Sequence, residues 1–95
     1  MTPQLPSLEL IKSMHTFPGA FIFKIIGDAR DGFVAEALTL SMDALGDDRE
    51  FTHTFRASSA SKHLAITLSI FIRDANEVHA VYKNLMKLSG LRALF

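Results

Sequence analysis

Alternation of apolar and polar residues at period two marks three segments of the chain as strands. Lys62–Arg73 is the clearest. Leu64, Ile66, Leu68, Ile70 and Ile72 fall on one face, and His63, Ala65, Thr67, Ser69, Phe71 and Arg73 on the other. Ala20–Ile26 sets Phe21, Phe23 and Ile25 against Ile22, Lys24 and Ile26, and closes at Gly27. Glu50–Arg56 sets Phe51, His53 and Phe55 against Thr52, Thr54 and Arg56, which predicts Phe51 and Phe55 in the core beside Leu64 and Ile66.

Two segments carry apolar residues at helical spacing. In Arg30–Leu45, Val34, Leu38, Ser41, Met42 and Leu45 share a stripe, with Asp28 and Asp31 near its start and Gly46 after its end. From Asp74, with Glu77 three residues on as in a capping box, Val78, Val81, Tyr82, Leu85 and Leu88 form a second stripe that ends at Ser89-Gly90. Ala57–Ser61 is a polar hairpin connection, Asp47-Asp48 with Glu50 a solvated acidic turn, and Leu91–Phe95 a short last strand. Residues 1–16 read as an N-terminal arm in which Ser7 caps a short helix bearing Leu8, Ile11 and Met14; residues 17–95 form a single domain. The order β-α-β-β-α-β predicts an α+β fold of the ferredoxin-like kind. It is a two-layer sandwich, a four-stranded antiparallel sheet with two helices on one face and the other face open.

Composition narrows the function more than the fold. A chain of 95 residues suits one domain, and its 48% apolar content supports a core. Ten Lys and Arg balance ten Asp and Glu, so the broad positive field of a dedicated polyanion binder is missing. The absence of cysteine excludes disulfides, thiolate metal sites and thiol nucleophiles. Met1–Met14 lacks the apolar run of a signal peptide, and the nearly uncharged stretch Leu64–Ile72 is far short of the ~20 residues of a membrane helix. A cytoplasmic location without membrane contact is expected.

Candidate chemistry is sparse. His53 and His63 flank the hairpin, but the predicted faces hold them apart, and a one-residue slip that joined them would turn out Phe51 and Phe55. No metal site is predicted, and His15 and His79, without partners, are expected in solvent. No serine sits in a G-x-S-x-G elbow or an S-x-x-K pattern, and Gly27 to Gly32 is not a glycine-rich phosphate loop. The expectation is a protein that is not an enzyme, with no catalytic residue and no cofactor. Two surfaces remain. The open face offers Ile22, Lys24, Ile26, Ala65, Thr67 and Phe71 as a contact strip. The turn of Gly27, Asp28, Arg30, Asp31 and Gly32 precedes a helix whose first N–H groups are free, which suits a small effector. There Gly32 permits close approach and Arg30 can pair with a carboxylate, while Asp28 and Asp31 either hold an amino group or cap the helix.

Several stretches resemble the YbeD-like family of small uncharacterised bacterial proteins. They are Phe17-Pro18, Phe21-Ile22-Phe23-Lys24-Ile25-Ile26-Gly27, the Ser58-Ser59 turn and Tyr82-Lys83-Asn84-Leu85. The sequence departs from the family pattern at Ser61, where Gly is usual, and at His63, where an aromatic is usual. The family in turn looks like the ACT domain, a regulatory module that binds small effectors. Asp28-Ala29-Arg30-Asp31-Gly32-Phe33-Val34 resembles the ACT turn between first strand and first helix, without its usual Pro. The resemblance implies a small non-catalytic regulatory or interaction module, with a link to lipoate metabolism through an octanoyltransferase encoded beside some family members. Its partner would be an unidentified protein, a second copy or a small effector. A nucleic-acid-binding module on the open face is the alternative; it has only Phe71 and His63 for base stacking.

Overall fold

In the computed structural model the strongest alternation becomes the two central strands, β1 (Gly19–Asp28) and β3 (His63–Ile72), paired antiparallel from Gly19↔Ile72 to Asp28↔His63. The structure describes residues 6–46, 49–58 and 60–95. Asp47 and Asp48 of the acidic turn, Ser59 of the hairpin connection and the first five residues of the arm lie outside them. The other elements are α1 (Leu8–Met14), α2 (Phe33–Leu45), β2 (Phe51–Ala57), α3 (Ala75–Leu85) and β4 (Leu91–Leu94). Sheet order is β2-β3-β1-β4 with every neighbour antiparallel, the ferredoxin-like arrangement. Phe23, Ile25, Ile66, Leu68, Ile70 and Ile72 face the helices and are fully buried. No helix among the described residues is long and apolar enough to cross a membrane.

The first long helix begins later than its periodicity predicts. Gly32 is its N-cap in the left-handed region, φ 83°, with no side-chain cap bond, so neither Asp28 nor Asp31 caps it. The buried line moves to Phe33, Ala37 and Ser41, and Val34, Leu38, Met42 and Leu45 are only half-buried. The buried Ser41 hydroxyl donates to the Ala37 carbonyl at 2.8 Å, which satisfies it inside the helix. Asn84 ties the two helices by donating to the Leu40 carbonyl at 2.7 Å.

At α3 the cap is as expected: the Asp74 side chain accepts from the Glu77 N–H at 3.0 Å. The Glu77 carboxylate takes a different course from a capping box. It accepts from the Arg73 N–H at 2.7 Å and from both Nη atoms of Arg49, at 2.6 and 3.0 Å. Arg49, its side chain 3% exposed, also donates to the Phe71 carbonyl and so pins the start of β2 to the end of β3. The helix ends at Leu85, a turn before Ser89-Gly90, and tighter i→i+3 bonds carry the chain through Lys87 and Leu88.

Two expectations about burial are corrected. Phe51 opposes Ile70 and Phe55 opposes Ile66, so both face the helix side, yet they are 38% and 55% exposed. β2 is an edge strand, exposed along its whole length, because the helix layer stops over β3. His79 is not solvated: its Nε2 donates to the Pro6 carbonyl at 2.8 Å, where α1 packs on α3 and buries Ile11. His15 is exposed but lies against Phe21, ring centres 4.6 Å apart.

Two predictions follow from these contacts. The Arg49 hydrogen bonds hold the Glu77 carboxyl below the usual carboxylate range, and burial opposes them only in part. A depressed folded pKa contributes stability above the unfolded value, and that contribution is lost as pH falls through the folded value. Melting curves from neutral pH down through the carboxylate range should show wild type losing its advantage over Glu77→Gln. Ser61 stands in the left-handed region, φ 53°, where the family pattern has Gly. Ser61→Gly should therefore raise stability by about 0.5–1 kcal/mol, read as a rise of a few degrees in Tm.

Candidate functional site

The pairing that buries one face of β1 and β3 turns Ile22, Lys24, Ile26, Ala65, Thr67 and Phe71 to the other. Two rungs cross the sheet. In one, Lys24 lies between Thr67 and Phe95, with which it exchanges both backbone hydrogen bonds at 3.0 and 2.8 Å, and Thr54 flanks Thr67. In the next, Ile26 lies between Ala93 and Ala65, and Arg56 flanks Ala65. Together they form a shallow depression of about 510 Å³, whose floor holds Ile26, Ala65 and Thr67 and whose edges hold Lys24, Arg56 and Phe95. Among the described residues no Asp or Glu side chain lines it. Phe71, 43% exposed, sits at the far end beside a smaller hollow with Phe51 and Ser69, and Ile22 projects between the two, 56% exposed. The contributions of Phe95 and Arg56 depend on strand order, which places β4 and β2 on opposite sides of the central pair.

The turn from Gly27 to Gly32 is knitted to the α3–β4 turn. A Cβ on Gly27 would lie 2.1 Å from the Phe33 ring and 2.8 Å from the Gly90 carbonyl oxygen, so only glycine lets Phe33 seat there. The Asp28 N–H donates to that carbonyl at 3.0 Å, and its carboxylate accepts from Arg92 Nε at 2.8 Å. Arg30 donates to the Ser89 carbonyl from Nε and Nη2, at 3.2 and 2.9 Å, pairs with Glu36 at 3.0 Å, and lies over the Phe33 ring. Its remaining Nη1 donates to the Asp31 carbonyl at 3.2 Å. Asp31 itself is exposed. The turn therefore gathers all five sequence-predicted residues, with Arg30 and Asp28 already paired inside the chain.

His53 opposes Leu68 and His63 opposes Asp28, which puts the two imidazoles on opposite faces of the sheet. Among the described residues no group of three His, Asp or Glu converges on a metal site.

The fold and the open face define a small α+β module with the architecture of the ACT domain. The chain belongs to the family described as protein of unknown function (DUF493), whose model matches residues 12–94. It is 29% identical over 76 residues to a UPF0250 protein of Shewanella loihica, covering 80% of this chain and 84% of that one. A UPF0250 protein of Shewanella halifaxensis is 26% identical over the same shares. Among solved structures, protein HP0495 from H. pylori superposes with a TM-score of 0.70 at 14% identity, covering 86% of each chain. The ACT domain from GTP pyrophosphokinase of Chlorobium tepidum gives 0.64 at 16% identity, over 80% of this chain and 94% of that one. These likenesses bear out the YbeD-like and ACT-like resemblance and establish the fold; no catalytic family is among them.

Gly27 offers a direct test of the turn. Gly27→Ala should cost about 1–3 kcal/mol by forcing the Phe33 ring out of its seat. Trimming the ring should relieve that clash, so a double-mutant cycle with Phe33→Leu should give a favourable coupling energy in denaturant melts.

Proposed function

We propose that this protein is a cytoplasmic, non-catalytic regulatory or interaction module whose open sheet face receives a ligand with an apolar body and a carboxylate end. The observation that carries the reading is the depression between Lys24 and Arg56. Its apolar floor, Ile26 and Ala65, lies beside two cations, with no Asp or Glu side chain in the lining among the described residues. An apolar anion buries its body on such a floor and finds charge-assisted donors at the edge. The ACT-like architecture supports a module that serves another activity. The implied link to lipoate metabolism fits the same chemistry, because octanoate and lipoate are apolar chains ending in a carboxylate.

The test is titration of isotope-labelled protein with a panel of amino acids, short carboxylates, octanoate and lipoate. Amides of Lys24, Ile26, Ala65 and Thr67 should shift first, and Lys24→Ala should weaken binding by roughly tenfold, the loss of one charge-assisted contact. Shifts confined to Gly27–Val34 would move the ligand to the turn. Silence across the panel at millimolar concentration would remove the small effector and leave a protein partner. Single-stranded RNA should not bind; binding that falls steeply with salt would favour the nucleic-acid reading instead.

A further inference from the structure

The exposed edge of β2 reads the same in both directions. From residue 50 the sequence is Glu50-Phe51-Thr52-His53-Thr54-Phe55-Arg56, symmetric about His53, with opposite charges at its two ends. We propose that β2 pairs antiparallel with β2 of a second copy of this chain, about a two-fold axis at His53, to join two sheets edge to edge. The inference goes beyond the function proposed above and does not rest on it.

The hydrogen-bond parity of the strand permits this register. The Phe71 N–H donates to the Glu50 carbonyl and the Ser58 N–H to the His63 carbonyl, at the two ends of an unbroken ladder. Even-numbered residues of β2 therefore direct their backbone groups to β3, and Phe51, His53 and Phe55 direct theirs outward, to the free edge. A two-fold centred on His53 opposes outward groups with outward groups: His53 with His53, and Phe51 with Phe55 of the second copy. Each such pair exchanges two N–H···O bonds.

The side chains match in the same register. On the helix side, Phe51 and Phe55, both partly exposed in the single chain, meet each other across the axis. On the open side, Thr52 meets Thr54 and Glu50 meets Arg56, twice over by symmetry. The side chains of Glu50 and Arg56 have no hydrogen-bond or ion-pair partner among the described residues, so each is free to take the other. Moving the axis by one residue either way keeps the backbone parity but opposes Glu50 to Thr54 or Arg56 to Thr52, and Phe to His in both cases. Charge and shape select the centre at His53 among the registers that the backbone permits.

Edges that stay unpaired are normally blunted by Pro, Lys, a bulge or shortness. The opposite edge, β4, is four residues long and its pairing is broken by a bulge. β2 is seven residues long, pairs with β3 without a bulge, and contains neither Pro nor Lys. In the pair, Arg56 would engage Glu50 of the second copy, leaving Lys24 as the free cation of the open-face depression.

The test is sedimentation of wild type and charge-reversed variants from micromolar to millimolar concentration. Wild type should show a reversible monomer–dimer equilibrium. Glu50→Arg and Arg56→Glu each oppose like charges and should weaken it by about tenfold or more, and the double reversal should restore it. Thermal melts of all four proteins establish that the exposed substitutions leave the fold intact. Amide exchange provides a second reading. In the dimer the N–H groups of Phe51, His53 and Phe55 should become protected, whereas those of Thr52, Thr54 and Arg56 are protected in either state. A wild type that remains monomeric at millimolar concentration overturns the proposal, and so does a dimer that ignores both single reversals or is not restored by the double one.

Discussion

The register between β1 and β3 is the constraint on which the rest of the molecule depends. Ten consecutive residues of each strand are paired, and the side-chain period is two. A slip of one residue in β1 would drive Ile22, Lys24 and Ile26 inward and turn out Phe21, Phe23 and Ile25. That exchange buries an unpaired ammonium and strips the core of two phenyl rings, a cost larger than a small domain can absorb. The same register therefore builds the core and the open face in one act. Lys24 stands beside an apolar floor because its neighbours on either side along the strand must be inside.

The resemblance to the family has a matching physical content. Tyr82 sets its ring edge-on to Phe23, 5.2 Å between centres, and near Phe21; Asn84 ties α3 to α2; Leu85 is fully buried. Lys83 between them is exposed. Gly27, which ends the recognisable first strand, is the seat of Phe33. Among the residues that mark the family, Phe21, Phe23, Ile25, Gly27, Tyr82 and Leu85 lie where helices meet sheet, and these speak for architecture more than for any activity.

Period-two alternation made both central strands and the two faces legible before any coordinates, because a strand with one buried side has little freedom in which residues it hides. Periodicity was a poorer guide wherever a single distant contact decides the outcome. The start of α2 is set by the left-handed Gly32 and by Phe33 reaching Gly27, and no local pattern encodes that reach. Alternation places Phe51 and Phe55 on the helix side but says nothing of how far the helix layer extends. The burial of Arg49 depends on Glu77, far along the chain, and the pairing of His79 depends on the arm. The open face was readable on its central strands, but Phe95 and Arg56 join it only through strand order. At the effector turn the residues were identifiable; that Arg30 reaches across to Ser89 was not.

The position of β1 also governs how the chain must assemble. β1 is central, yet neither of its partners is its neighbour in sequence: it pairs with β3 and β4, and even its nearest rung to β3 joins Asp28 to His63. Among the described strand pairings only β2 with β3 is local. Closing those long loops costs chain entropy before any burial offsets it, so the search for the native pairing, rather than helix growth, sets the speed of folding. A transition state of this kind must already hold β1 against β3. Substitutions along that seam should slow folding, whereas those in α1, which docks on a finished surface, should act mainly on the rate of unfolding.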